Sequence, residues 1–151
     1  MLVIHIDSRP DTARFSIMWE GLDCKVLYNP RSKSQVEDEI KKENDLIILC
    51  GHGSPRGLFN TAWNGFIIDE RSVQFLRGKK IIGCWCYASE FADRYDLKGF
   101  FTSMFISNRG EAVEYGFPDA TEEEIALYDA QFAQEINYFL KNSIPMGEWV
   151  E

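Results

Sequence analysis

The sequence predicts an α/β fold, a three-layer α/β/α sandwich built around a mostly parallel, Rossmann-like sheet. Three observations support this fold class. Short apolar runs alternate with longer segments of helical period along the chain. No linker, internal repeat or low-complexity segment interrupts the alternation. The 151 residues suffice to bury a core without disulfide bonds, so we expect a single domain over residues 1–151.

The apolar runs predict five strands. Strands joined by helical crossovers pair in parallel and are covered on both faces, which explains why these runs are apolar rather than alternating. The five predicted strands are Leu2–Ile6, Lys25–Tyr28, Leu46–Cys50, Lys80–Cys84 and Phe100–Ile106.

Helical period between and after these runs predicts four helices. They are Thr12–Glu20, Ser34–Glu43, Tyr87–Tyr95 and Thr121–Leu140. The last helix opens with Thr121 followed three residues later by Glu124, the pattern of a capping box. We expect it to pack against the sheet through one apolar face, formed by Ile125, Tyr128, Phe132, Ile136 and Phe139.

Charge and hydropathy exclude two classes of partner. The formal net charge is −8 and the pI about 4.8, whereas nucleic-acid binders usually display a basic face. The first seven residues contain no basic leader, and no apolar stretch approaches the roughly 20 residues of a membrane span. We therefore expect a cytoplasmic protein that binds neither nucleic acid nor a membrane; its oligomeric state is open.

The cysteines predict neither a disulfide framework nor a metal site. Three of the four cysteines lie in apolar runs, which is typical of reduced thiols in a domain of this size. The pair Cys84 and Cys86 lacks the usual zinc-ligand spacing and a second ligand pair. The Gly-x-Gly-x-x-Gly fingerprint of dinucleotide sites and the Gly-x-Ser-x-Gly motif of α/β-hydrolases are also absent. We expect no metal and no cofactor.

A histidine and a cysteine each follow a predicted strand. His52 follows the third strand and Cys86 the fourth. Because carboxyl ends of parallel strands meet at one edge of a sheet, about 5 Å apart between neighbours, the two side chains can face each other. An imidazole, with the amides at the start of the next helix, can stabilise a nucleophilic thiolate. Gly53 leaves room for a substrate, and its amide with that of Cys86 can bind an oxyanion.

The combination resembles the caspase-like cysteine peptidases, the group that includes clostripain, gingipain, legumain and separase. One apolar strand ends in His52-Gly53-Ser54, and another ends in Cys86, followed by small residues and Glu90 as in the clostripain branch. Phe100–Ser107 resembles the next strand of that branch, so the likeness spans roughly residues 46–108. It implies a cysteine endopeptidase acting on protein or peptide substrates. His52 is then the general acid/base, Cys86 the nucleophile, and the Gly53 and Cys86 amides the oxyanion hole.

Three alternatives stay open. Trp85 stands where the family usually has a small residue, and the chain is short for a complete peptidase, so a catalytically degenerate interaction or signalling domain is the rival function. Gly83-Cys84 matches the arrangement in separase, although only Cys86 reaches the loop end. The pair of His52 and Cys86 also allows a purely structural interpretation, in which His52 is a surface turn residue and Cys86 is a small buried hydrophobic residue.

The remaining cysteines and histidine are interpreted as structural. Cys50 lies within a strand, Cys24 has no partner in sequence, and His5 lies between two isoleucines of a buried strand. We therefore expect His5 to be a hydrogen-bonded core imidazole.

The resemblance places the substrate-binding residues after the first and fifth strands. Asp7 and Arg9 follow the first strand, and Ser107 and Asn108 follow the fifth, with Arg109 next to them. Asp7 favours a basic side chain before the scissile bond, whereas Arg9 or Arg109 favours an acidic one. The net charge of −8 tips the expectation slightly towards basic substrates, and the preference is otherwise open.

Overall fold

The computed structural model describes residues 1–6, 12–60, 65–104 and 109–149. The chain divides into two compact units. The first comprises the described residues of 1–8 and 24–105, and the second those of 9–23 and 106–151.

The first unit contains two sheets. Its eight strands are β1 (Leu2–His5), β2 (Lys25–Tyr28), β3 (Ile47–Cys50), β4 (His52–Ser54), β5 (Gly57–Asn60), β6 (Gly65–Ile68), β7 (Ile81–Cys84) and β8 (Gly99–Phe101). The larger sheet is parallel throughout, in the order β2-β1-β3-β7-β8. The predicted α/β class and parallel sheet are confirmed. The end of the fifth predicted strand, residues 105–106, lies outside the described residues.

Helices flank the larger sheet within this unit. They are α1 (Lys33–Lys42), α2 (Val73–Leu76) and α3 (Ala88–Tyr95). The α1 helix begins after Ser32, whose hydroxyl accepts the Gln35 N–H. A short 3₁₀ helix, Glu70–Ser72, precedes α2 and is capped by Asp69, which accepts the Arg71 N–H.

Both faces of the three central strands of the parallel sheet, β1, β3 and β7, are buried. Side chains from alternate positions of β1, β3 and β7 pack in one apolar cluster with α1, α2, α3 and the smaller sheet. The members from these three strands are Leu2, Ile4, Ile47, Leu49 and Ile81. On the other face Val3, Ile48 and Ile82 have no exposed surface. Burial on both faces is why the strands are continuous apolar runs.

The smaller sheet is antiparallel, in the order β4-β5-β6, and the sequence did not predict it. It lies between β3 and β7 in sequence, so the connection between these neighbouring strands is more than a simple helical crossover. His52 pairs with Phe59 across β4 and β5. The residue expected in a loop is therefore held by strand pairing.

The second unit is helical in its described residues. It contains a 3₁₀ helix (Ala13–Trp19), α4 (Arg109–Glu114), α5 (Glu122–Lys141) and a 3₁₀ turn (Met146–Glu148). The predicted first helix is thus a 3₁₀ helix, and α5 packs against it. The predicted cap of α5 is confirmed, because the Thr121 hydroxyl accepts the Glu124 N–H at 3.1 Å.

The predicted apolar face of α5 is partly wrong. Tyr128 is 66% exposed, and the buried residues are Ile125, Asp129, Ala133 and Ile136. Asp129 takes a core-facing position because its carboxylate lies 3.5 Å from the Arg14 guanidinium. Pairing offsets the loss of water around both charges, so an acidic residue replaces an apolar one in the stripe.

Asn137 also joins α5 to the end of the 3₁₀ helix. Its side-chain amide donates to the carbonyl oxygens of Met18 at 3.1 Å and Glu20 at 2.9 Å. These carbonyls belong to the last turn of the helix and the residue after it, where intrahelical donors are lacking.

We predict that Asn137→Ala lowers the free energy of unfolding of the second unit by about 1–3 kcal/mol, because two carbonyls lose their donors. Asn142→Ala is the matched control, since the Asn142 amide donates to the Tyr138 carbonyl one turn before it, at 2.8 Å. Its effect should stay below about 1 kcal/mol. Urea unfolding followed by circular dichroism measures both variants, and equal losses would contradict the structural role given to Asn137.

Candidate active site

The ends of β3 and β7 bring the two candidate residues into one region. These strands are parallel neighbours, with Cys50 opposite Cys84. Beyond this pair, the Gly51 N–H donates to the Cys84 carbonyl at 3.2 Å. His52 directly follows Gly51, and Cys86 lies two residues after Cys84, so both backbones leave the same edge of the sheet side by side.

Trp85 fills the space between the two segments. Its side chain is fully buried, and its indole Nε1 donates to the Ser54 carbonyl at 2.9 Å. A Cβ atom at Gly53 would overlap both Trp85 Cδ1 and the Gly57 carbonyl oxygen. The expectation that Gly53 leaves room for a substrate is therefore wrong, because the indole and the Gly57 backbone occupy that space.

His52 is half-buried and lies on the strand that Trp85 contacts. Successive side chains of a strand point to opposite faces. Because the α-carbon of Gly53 faces Trp85, the His52 imidazole leaves β4 on the face opposite to the indole. The imidazole is therefore not part of the apolar packing around Trp85.

The two cysteines near this edge differ in environment. Cys84 has no exposed surface, and burial raises the pKa of its thiol far above the usual range. Cys86 is 7% exposed and lies past the end of β7. A thiolate is strongly disfavoured at Cys84, which weakens its candidacy as a nucleophile.

A left-handed residue turns the chain from Cys86 into α3. Tyr87 has φ 64° and ψ 27°, a conformation that bulky side chains rarely adopt. Its N–H donates to the Ser103 carbonyl. The Ala88 N–H donates to the Trp85 carbonyl at 3.1 Å, and the Ser89 N–H donates to the Thr102 carbonyl at 2.9 Å. The first amides of α3 are thus occupied, contrary to the expectation that they stabilise a thiolate directly.

Thr102 is a buried residue of this region that the sequence did not single out. Its side chain, 6% exposed, donates through Oγ1 to the Trp85 carbonyl at 2.8 Å. This bond and the Ser89 N–H bond to the Thr102 carbonyl tie the segment after β8 to the turn that carries Cys86. No sequence signal marked it, because Thr102 lies inside the predicted strand Phe100–Ile106, whereas β8 ends at Phe101.

The predicted substrate-binding residues Asp7, Arg9, Ser107 and Asn108 lie outside the described residues. Arg109 is described and begins α4. Its backbone N–H donates to Glu122 Oε1 at 2.7 Å, and its guanidinium donates to the Pro118 carbonyl at 3.3 Å. These bonds hold Arg109 within the second unit.

The residues interpreted as structural are buried or half-buried. His5 is 3% exposed and meets the Tyr28 ring edge-on, with centroids 5.4 Å apart. Cys50 is fully buried, and Cys24 is half-buried. All four cysteines are free thiols. Within the described ranges no three His, Cys, Asp or Glu side chains are grouped to hold a metal ion, and no helix is long and apolar enough to span a bilayer.

Comparison with known proteins gives no relative: no family model, curated protein or solved structure matches the chain. The function is therefore inferred from the residues and their geometry.

We predict that Gly53→Ala destabilises the first unit by about 1–3 kcal/mol, since the new methyl group must displace the indole or the Gly57 backbone. Gly65→Ala is the control, because among the described atoms none lies within 4 Å of a Cβ built there. Its effect should remain within about 0.5 kcal/mol. Denaturant unfolding monitored by tryptophan fluorescence compares the two, and a neutral Gly53→Ala would refute the close packing described for Trp85.

Proposed function

We propose that the protein is a cysteine endopeptidase of caspase-like architecture, in which His52 and Cys86 form the catalytic dyad. The observation that carries the proposal is the hydrogen bond from the Gly51 N–H to the Cys84 carbonyl, 3.2 Å long. It joins the two backbones one residue before His52 and two residues before Cys86. The Trp85 side chain, one residue before Cys86, donates to the carbonyl of Ser54, two residues after His52, at 2.9 Å.

The proposed reaction uses His52 as a proton carrier. The imidazole takes the Cys86 proton, and the thiolate attacks the peptide carbonyl to form a tetrahedral intermediate. The intermediate collapses to a thioester as the imidazolium protonates the leaving amine. His52 then deprotonates a water molecule, which attacks the thioester and releases the acid, and the proton returns to the Cys86 sulfur.

The choice of Cys86 over Cys84 rests on burial and position. Nucleophilic attack needs a thiolate that a substrate can reach. Burial disfavours the thiolate of Cys84, which lies within β7, whereas Cys86 retains some exposed surface beyond the strand. A strained left-handed turn at Tyr87, directly after Cys86, also fits a nucleophile presented between a strand and a helix.

We assign the oxyanion hole to the Gly53 and Cys86 amides. Support comes from the position of β4 at the edge of the smaller sheet, where alternate N–H groups point away from β5. Four free thiols fit action in a reducing compartment such as the cytoplasm. The net charge of −8 favours polypeptides with basic side chains. Its effect on substrate preference is weaker than that of charges in the pocket itself, because salt screens distant charges.

We predict that Cys86→Ala and His52→Ala each lower the rate of peptide cleavage at least about a thousandfold, because each removes one half of the dyad. Fluorogenic peptides with Arg, Lys, Asp or Asn before the scissile bond measure the rate, and we expect turnover of the Arg or Lys peptides. Cys84→Ala and Cys24→Ala are the matched cysteine controls and should retain activity. Loss of activity in Cys84→Ala, with survival in Cys86→Ala, would identify Cys84 as the nucleophile.

A non-catalytic interaction domain is the second candidate, and one observation favours it. The three amides at the start of α3 already donate to backbone carbonyls, so they add little to the stability of a Cys86 thiolate. The two functions differ in the reactivity of Cys86, because a thiol without an activating imidazole reacts slowly near neutral pH.

Alkylation by iodoacetamide at neutral pH, with labelled cysteines identified by mass spectrometry, separates the two functions. For a peptidase we predict that Cys86 labels at least tenfold faster in the wild-type chain than in His52→Ala, because the imidazole holds the thiolate. Cys24, half-buried, is the internal reference. Equal Cys86 rates in both proteins, together with no turnover of any peptide, would favour the interaction domain.

A further inference from the structure

A cavity lies in the first unit, at the end of α3 opposite to Cys86. Its volume is about 230 Å³. The lining residues come from the turn between β4 and β5, from β6 and the residues after it, and from the last turn of α3. They are Arg56, Phe66, Asp69, Glu70, Arg94 and Tyr95.

Two arginines of this cavity rest on aromatic rings. The Arg56 guanidinium carbon lies 5.7 Å from the centre of the Phe66 ring, and that of Arg94 lies 5.8 Å from the Tyr95 ring. Within the described part of the chain, neither guanidinium has a carboxylate at ion-pair distance. A stacked guanidinium keeps its planar edge of N–H donors available for an oxygen ligand.

The six lining residues sum to zero charge, because the two arginines are matched by Asp69 and Glu70, and Lys33 from outside the lining brings the local sum to +1. Asp69 is neutralised by Lys33, whose ammonium lies 2.8 Å from Oδ1. The same oxygen accepts the Arg71 N–H at 3.0 Å. Glu70 then balances one of the two arginines, which leaves one positive charge in the cavity of a chain with net charge −8. One carboxylate matches this excess, whereas a phosphate dianion would bring excess negative charge against Glu70.

We propose that this cavity binds a carboxylate of an acidic residue in a polypeptide. Arginine forks recognise carboxylates through paired N–H bonds, and the volume accommodates a glutamate side chain.

The cavity is connected to the strand that carries His52. The Arg56 N–H donates to the Ser54 hydroxyl at 3.1 Å, and the Ser54 carbonyl accepts the Trp85 indole N–H. The Arg56 side of the cavity therefore lies next to Ser54, the last residue of β4. Its role as a substrate contact away from the scissile bond rests on the proposed function, whereas binding of the carboxylate does not.

Calorimetric titration of the chain with an acetylated, amidated alanine peptide that carries two glutamates tests the inference. The matched peptide carries glutamines instead and should bind at least tenfold more weakly. Arg56→Gln and Arg94→Gln should each weaken binding of the glutamate peptide about tenfold, because each removes one charged fork. Arg71→Gln is the control with an exposed arginine outside the lining, and it should leave binding unchanged.

Equal binding of the two peptides, or unchanged binding in both cavity variants, would overturn the inference. Tighter binding of inorganic phosphate than of the glutamate peptide, lost in the same variants, would overturn the assignment to a carboxylate. Cleavage of fluorogenic peptides without binding at the cavity would contradict this inference and leave the proposed peptidase function standing. Binding without any cleavage would support it and count against the proposed peptidase.

Discussion

The packing of the Trp85 indole determines the geometry of the candidate active site. The ring is fully buried, its N–H is satisfied by the Ser54 carbonyl, and its centroid lies 5.8 Å from that of Phe91 on α3. A buried indole N–H without an acceptor would be strongly unfavourable, so the ring position and the path of β4 depend on each other. One side chain thereby relates β4, β7 and α3, the three elements around His52 and Cys86.

Two glycines make this packing feasible. Gly53 leaves the indole room from β4, and a Cβ at Gly83 would lie 3.1 Å from Trp85 Cζ3. Gly83 also accepts the Phe101 ring from β8, where its added Cβ would lie 2.5 Å from Cδ1. The surrounding glycines form a matched set with the tryptophan, as expected for a well-packed core.

The central parallel strands could be predicted from the sequence, because a strand buried on both faces requires a continuous run of apolar residues, as in Leu46–Cys50. The antiparallel sheet was missed because its strands are three or four residues long and contain glycine, too short for a period to emerge. The inward Asp129 was missed because its partner Arg14 is more than 100 positions away in sequence. A pattern of apolar residues cannot show that a distant cation compensates a buried carboxylate.

In the candidate site, too, the features set by strand order could be predicted, whereas those set by contacts between distant segments could not. The rule that carboxyl ends of parallel strands share one edge was enough to predict that His52 and Cys86 both follow the same edge of the sheet. The hydrogen bonds after Cys86 depend on how the segment following β8 meets the turn at Tyr87, which no local pattern encodes. Thr102 and Ser103 reach that turn through chain geometry, and their carbonyls take the Ser89 and Tyr87 amides.

The amides of Tyr87, Ala88 and Ser89 already donate to carbonyls, so in the proposed mechanism the stabilisation of a Cys86 thiolate falls to His52. A backbone N–H that already donates to a carbonyl at ordinary distance offers little further stabilisation to a neighbouring thiolate. In the proposed mechanism a Cys86 thiolate therefore depends on the His52 imidazole more than on the start of α3. The strand pairing that holds His52 opposite Phe59 fixes the backbone position of the residue that the proposed mechanism uses as its proton carrier.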